Sequence, residues 1–140
     1  MKAIKFNLEN IKLLRSEVRD HPKVYEQDFN LEQIQIDTET KFNYYDDYIQ
    51  NFLHFKFELN DQKKTIVLGH FDIIFTFEVN DLKTIINKSD TKEILLLNIL
   101  SIAYSTSRGI LFSETKGFAL NEVYLNLIAP NKLCESFLRE

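Results

Sequence analysis

Two histidines and one aspartate are the residues of this chain whose types and spacing could do chemistry. His54 lies in one alternating segment, and His70 and Asp72 lie in the next. If a loop of about three residues joins the segments as a β-hairpin, His54 lies opposite His70, with Asp72 on the same face. Two imidazoles and a carboxylate can hold zinc or transfer protons. We favour the alternative, two half-exposed histidines beside Lys56 and Glu58, because a one-residue change of register separates the three groups.

Other sequence signals of catalysis are missing. Three isolated glycines cannot build a phosphate-binding loop, and the chain has neither a GxSxG nor an HExxH motif. The single cysteine, Cys134, lies among apolar residues and is expected to pack as a small hydrophobe. The acidic side chains alternate with apolar ones or fall in a turn, which is typical of a solvated strand face (Glu32, Asp37, Glu39, Asp46 and Asp47). The sequence therefore predicts a protein that is not an enzyme and uses no cofactor or metal.

Composition narrows the class of protein further. The net charge is −4 and the basic residues are scattered, which argues against a nucleic-acid-binding surface. A length of 140 residues predicts one domain, spanning residues 1–140. No apolar segment follows Met1, and Asn98, Ser101 and Ser105 interrupt the longest apolar run, so we expect neither a secretory signal nor a membrane span. One cysteine and no signal predict a cytoplasmic location.

The elements that must position these residues begin with strands. Alternating apolar residues predict strands at about residues 3–18 and 29–45, and a long hairpin over 51–79 with its turn at Asn60-Asp61. The parity of the apolar residues changes within the first strand, which indicates a bulge near Glu9-Asn10.

The later part of the chain has helical spacing. After one turn of helix at 82–86, a capping box of Asp90 and Glu93 predicts a long helix that continues to about Lys116. Gly109 inside this helix indicates a kink or a close approach of another helix. An extended segment at 122–128 and a short helix at 130–140 complete the chain. The predicted fold is α+β: a four-stranded antiparallel sheet followed by a long helix and a short C-terminal helix.

The chain has more aromatic surface than such a fold can cover. It contains 12 Phe and 6 Tyr, and the predicted hairpin is apolar on one face and half apolar on the other. One long helix covers one face, so the remainder needs another subunit, a ligand or an unfolded polypeptide. An apolar groove between helix and sheet edge could hold an extended peptide, or a small molecule or lipid.

The order of elements and several short strings resemble the SecB-like export chaperones. The strings are FNLENI at 6–11, GHFDIIFTF at 69–77, NIL at 98–100, KGF at 116–118 and LNLIAP at 125–130. The resemblance implies an ATP-independent holdase that forms a dimer of dimers through the first strand and the long helix. It also implies hydrophobic grooves for unfolded clients. Large apolar residues near the helix–sheet junction are the candidates for that groove: Phe42, Tyr44, Phe71, Phe75, Tyr104 and Phe112.

The sequence departs from this family where the family docks on the SecA motor. Arg15, Arg19 and Leu68 occupy positions at which the resemblance implies acidic side chains. The departure argues against SecA docking and favours a variant with another partner, such as an antitoxin. A small-molecule or lipid-binding α+β domain that uses the same apolar groove is the alternative function.

Overall fold

Four long strands form a single antiparallel sheet. They are β1 (Phe6–Val18), β2 (Ile34–Tyr44), β3 (Tyr48–Asp61) and β4 (Lys64–Val79). Their spatial order is β1-β4-β3-β2, so β1 and β2 are the two edges. The computed structural model describes residues 3–27, 29–61 and 64–122. The predicted α+β fold is confirmed for these residues.

Two 3₁₀ turns, Pro22–Tyr25 and Leu31–Gln33, lie in the connection that leads from β1 at one edge to β2 at the other. At the second turn, the side-chain oxygen of Asn30 accepts a hydrogen bond from the backbone N–H of Glu32 at 3.0 Å. This local bond competes with an extended backbone. The second strand therefore begins at Ile34, later than the predicted start at residue 29.

The long helix α2 spans Ser89–Glu114 and follows the short helix α1 (Leu82–Ile86), whose bounds agree with the prediction. The predicted capping box is wrong, because the N-cap of α2 is Lys88, two residues before the predicted Asp90, and Asp90 lies within the first turn. The Thr91 hydroxyl instead donates to the backbone oxygen of Ile85 at 2.5 Å. This bond joins the two helices and satisfies a carbonyl at the end of the first.

The end of α2 lies at Glu114, two residues before the predicted Lys116. There the Thr115 hydroxyl donates to the backbone oxygen of Leu111 at 2.8 Å. Gly117 follows with a φ of +86°, a left-handed conformation that glycine adopts without a steric penalty. A 3₁₀ turn at Ala119–Glu122 completes the described chain.

The predicted extended segment at 122–128 lies almost entirely outside the described residues, and the predicted C-terminal helix at 130–140 lies wholly outside them. Only Glu122 of the extended segment is described, and its backbone belongs to a 3₁₀ turn. The prediction is therefore wrong at that residue and remains a prediction beyond it.

The hydrophobic core lies between α2 and one face of the sheet. Alternate residues of β3 and β4 point toward the helix and are almost fully buried, as their period of two predicts (Leu53, Phe55, Phe57, Phe71, Ile73, Phe75 and Phe77). The opposing helix residues are equally buried (Leu95, Leu96, Ile99, Leu100 and Ala103). The helix α2 packs mainly over β3 and β4 and leaves the edge strand β1 largely exposed, whereas Ile34 and Phe42 of the other edge strand, β2, are buried.

Three irregularities set the register of the sheet. The predicted bulge in the first strand is confirmed, since the pairing with β4 shifts between Leu8 and Asn10, and a second shift follows Leu13. A third shift lies in β4, between the partners of Phe57 and Glu58. The predicted turn at Asn60-Asp61 is wrong, because both residues still pair with β4.

The helix α2 is long and apolar enough to cross a membrane by length and composition. The expectation that this stretch is too short and too polar is therefore wrong as a statement about length and hydropathy. In the structure, part of this helix packs against the sheet: 44% of its most apolar stretch is buried within the protein. A core helix of this length covers strands of 14 and 16 residues.

We predict opposite effects of alanine at two glycines. A Cβ at Gly69 would lie 2.8 Å from Cδ2 of Leu120 and 3.1 Å from Phe71, so Gly69→Ala should lower the free energy of unfolding by about 1–3 kcal/mol. A Cβ at Gly109 meets no described atom within 4 Å, so Gly109→Ala should raise it by about 0.5–1 kcal/mol. Urea unfolding of both variants measures the difference, and equal effects would contradict the packing at Gly69.

Candidate functional site

The face of the sheet opposite α2, here named the outer face, carries the histidines and the aspartate. His54 pairs directly with Asp72 across β3 and β4, and its Nδ1 is hydrogen-bonded to the Asp72 carboxylate. The rings of His54 and His70 meet edge to face with their centroids 5.3 Å apart. The three groups are therefore close, but His70 lies opposite Lys56, two residues from the predicted partner His54. The later turn and the bulge in β4 explain this change of register.

The environment of these groups does not form a metal centre. Within the described parts of the chain, no group of three or more His, Cys, Asp or Glu side chains could hold a metal ion. The pKa of the His70 imidazole is lowered, first of all by burial. The neighbouring groups Arg15, His54 and Lys56 lower it further, in that order. A depressed pKa favours a neutral imidazole at the centre of a charged face.

Two ion pairs flank the histidines on this face. Arg15 contacts Glu17 at 2.9 Å, and Lys56 contacts Glu58 at 2.7 Å. The hydrogen bond from Arg15 raises its own pKa and lowers that of the Glu17 carboxyl. Each pair lies within one strand, on side chains that point the same way. The outer face is therefore a mixed, internally paired surface and not a field of one sign.

The predicted groove residues divide by burial. Phe71 and Phe75 are fully buried, and Tyr104 is nearly so, with its ring centroid 6.2 Å from that of Phe55. Phe42 is also buried. They lie at the helix–sheet junction, as expected, but that junction is the core. Burial raises the pKa of the Tyr104 hydroxyl.

The remaining two candidates are more accessible. Tyr44 is half-buried on the edge strand β2, and the ammonium of Lys92 lies 5.5 Å from its ring centroid. Phe112 is 47% exposed on the outward side of α2. A role of any of the six in client binding remains a prediction, and Phe112 is the one with the most accessible surface.

An exposed stripe runs along α2 on the side away from the sheet. Its six residues are all exposed, and at 100° per residue they fall within an arc of about 80°. We name them the α2 stripe: Ile94, Asn98, Ile102, Ser105, Gly109 and Phe112. The three large apolar members are 38–47% exposed. The helical angles of Ile94 and Phe112 coincide at 100° per residue, so the spacing of this pair in the sequence is the signal that identifies the stripe.

A second exposed apolar surface lies on the edge strand β1. Leu8 pairs with Phe77 and Ile11 with Phe75, so both point to the helix side of the sheet. They are nevertheless 39% and 38% exposed, because α2 does not reach this edge. We name these two residues the β1 shelf. Together with the α2 stripe they form the candidate functional site, an apolar surface on the helix layer and on the strand beside it.

Comparison with known proteins places this geometry in a structural class. No family model and no curated protein sequence matches the chain. A solved structure of a SecB-like chaperone from Mycobacterium tuberculosis, in complex with a ChAD peptide from the HigA1 antitoxin, matches 88% of this chain and 90% of its own. The TM-score is 0.55 at 13% sequence identity. The fold is SecB-like.

A second solved structure carries no weight for the fold. It is a protein of unknown function from Streptococcus agalactiae, which is 12% identical and covers 91% of this chain and 99% of its own. Its TM-score is 0.30, which is too low to indicate a shared fold.

Within the SecB-like fold, the three positions compared with the SecA-docking site lie in different environments. Leu68 is buried at the bulge in β4. Arg15 and Arg19 both approach the carboxylate of Glu17, at 2.9 and 4.0 Å. None of the three supplies an accessible negative charge.

We predict that alanine substitution lowers the free energy of unfolding much more at a buried candidate aromatic than at an exposed one. Phe75→Ala removes a fully buried ring and should cost about 3–5 kcal/mol of unfolding free energy. Phe112→Ala removes an exposed ring and should cost less than about 1 kcal/mol. Urea unfolding followed by circular dichroism measures both, and a large loss for Phe112→Ala would contradict the exposure of that ring.

Proposed function

We propose that this protein is an ATP-independent holdase, a chaperone that binds unfolded polypeptides on exposed apolar surface and keeps them from aggregating. The observation that supports this function is the exposed apolar surface of the α2 stripe and the β1 shelf on a SecB-like fold. Surfaces of this kind on a folded protein indicate binding of another chain.

The dimensions of the stripe suit an extended client. Ile94 and Phe112 are separated by 18 residues of one continuous helix, or about 27 Å. An extended peptide of about eight residues has the same length. The large apolar side chains of the stripe are separated by Asn98, Ser105 and Gly109, so contacts are spaced rather than continuous. Several weak contacts along one client give avidity without sequence specificity.

We further propose that the clients include an antitoxin segment or proteins awaiting export, and that the holdase acts in the cytoplasm without a nucleotide, a cofactor or catalysis. The SecB-like structure from Mycobacterium tuberculosis contains a peptide from an antitoxin, which supports the first of these. The buried Leu68 and the paired arginines Arg15 and Arg19 favour a partner other than the SecA motor.

Self-association would cover part of the same surface. We propose a homo-oligomer, a dimer of dimers, in which α2 packs on a copy of itself around Gly109 and the edge strands β1 meet. Gly109 is exposed in the middle of α2, where a glycine costs about 1 kcal/mol and no described neighbour explains it. A glycine lets two helices approach closely. Leu14, 47% exposed at the second bulge, lies on the free edge of β1.

A small-molecule site is a second candidate function, supported by one cleft. An open cleft of about 760 Å³ lies between the N-terminal segment, α1 and the start of α2. Ile4 and Ile85 give it apolar walls, and its charged residues are two cations, Lys5 and Lys88, and one anion, Asp81. Its volume is within the usual range for ligand sites, and its mixed lining suits an amphipathic anion such as a fatty acid. This cleft is separate from the α2 stripe.

The holdase function is tested by aggregation of a chemically denatured client. We expect the protein to suppress light scattering at a stoichiometric ratio without ATP. The triple variant Ile94→Ser, Ile102→Ser, Phe112→Ser should lose most of this protection, because it removes the apolar contacts and leaves the core intact. Tyr45→Ser is the matched control, an exposed aromatic outside the stripe.

Two results would contradict the proposal: no suppression at any ratio, or equal suppression by the triple variant and the wild type. Native mass spectrometry after mild purification distinguishes the second candidate. A retained small molecule that Ile85→Ser releases would favour the ligand site.

Self-association is tested at Gly109 by static light scattering. We expect the wild type near four times the chain mass of 16.6 kDa. Gly109→Ala should keep that mass, because a methyl group still allows close helix approach, whereas Gly109→Leu should lower it. A wild-type mass of 16.6 kDa, or an unchanged mass in Gly109→Leu, would show that this part of α2 is not an interface.

A further inference from the structure

His70, one of the two histidines of the outer face, lies beside the edge strand β1. His70 pairs with Glu17 of β1 on one side and with Lys56 of β3 on the other. β1 is an edge strand that packs mainly on β4, and two bulges interrupt its pairing. Changes in charge at His70 therefore act directly on the β1–β4 contact.

The surroundings of His70 favour the neutral form of its imidazole ring. Its Nδ1 is buried and has no hydrogen-bond partner within the described residues. The charged and titratable groups that face it are Arg15 and Glu17 from β1, Lys56 and His54 from β3, and Asp72 on its own strand.

Each carboxylate near His70 already has a cationic or imidazole partner. Glu17 pairs with Arg15 at 2.9 Å, and Asp72 accepts the hydrogen bond from His54. A proton on His70 would therefore add a cation beside Arg15, Lys56 and the ring of His54. Glu17 offsets this in part, but burial and the three neighbouring groups outweigh it, so the pKa of His70 is lowered. Like charges at this range destabilise a sheet locally.

We propose that His54 and His70 form an acid-sensitive latch, which holds the second half of β1 on β4 while His70 is neutral and loosens it when His70 is protonated. The latch concerns residues Arg15–Val18, which pair with Gly69–Asp72. The claim does not depend on the holdase function. If that function holds, the latch would control the mobility of the strand that carries the β1 shelf.

The direction of the pH effect follows from the depressed pKa of His70, caused first by burial and then by Arg15, His54 and Lys56. Between the folded and the ordinary pKa, the loosened or unfolded chain binds more protons than the latched one. The stabilisation is thus complete above the ordinary value of about 6.5 and is lost as the pH falls through it toward the folded pKa.

Hydrogen–deuterium exchange of the full-length protein tests the latch. Exchange is compared at pH about 7.5 and about 5, after correction for the intrinsic pH dependence of amide exchange. In the wild type, we expect peptides covering Arg15–Val18 to lose more protection than peptides covering β2, because the pKa of His70 is depressed in the folded chain. His70→Gln should remove this excess, and His21→Gln, on a 3₁₀ turn away from the outer face, should retain it.

A titration of the wild type by nuclear magnetic resonance gives a second readout that needs no variant. We expect the His70 imidazole to titrate below about 6.5, and to titrate higher in His54→Gln, which removes a neighbouring charge. Equal loss of protection in β1 and β2, the same β1 response in His70→Gln, or a His70 titration at or above 6.5 would each overturn the latch. All three readouts are independent of client binding.

Discussion

The narrowness of a single helix relative to a four-stranded sheet determines most of this structure. Four strands at about 4.8 Å spacing make a sheet nearly 20 Å wide with its edges, whereas a helix with its side chains is about 10 Å across. The helix α2 therefore covers the central strands β3 and β4, and their inward side chains become the core. Leu8 and Ile11 have the same orientation as the core residues beside them. They stay exposed because α2 is too narrow to cover the edge strand β1.

The outer face of the sheet meets a different requirement. No helix of the described residues packs on it, and its apolar residues Phe52 and Ile74 are only half-buried. They pair with each other at the centre, while Lys41 and Lys12 lie at the two ends of the same row. Lysine stems can cover apolar neighbours while their charges remain in water. The prediction that this apolar surface needs a subunit, a ligand or an unfolded polypeptide remains a prediction, and within the described chain ion pairs and long side chains cover part of this face.

The fold could be predicted from the sequence because period-two and helical spacing are local signals. Strand identity, the first bulge and the α1 bounds all followed from such patterns. The groove could not be predicted in the same way. Large aromatic residues at the helix–sheet junction are equally suited to a core and to a cleft, and Phe71 and Phe75 proved to be core. The pairing of His54 with Asp72 was missed because it depends on a bulge in β4 that no sequence pattern marks.

The exposed edge of β1 carries features that protect a free strand against uncontrolled aggregation. A long, flat, apolar edge strand is an aggregation hazard, and bulges and charges are the usual protection. β1 has two bulges, and Lys12 and Arg15 point to its outer face, so only its helix side is apolar. A partner strand can satisfy the edge while placing its own apolar residues beside Leu8 and Ile11, next to α2. Under the proposed holdase function, this geometry would favour extended, unfolded segments, because folded proteins seldom present a free strand with one apolar face.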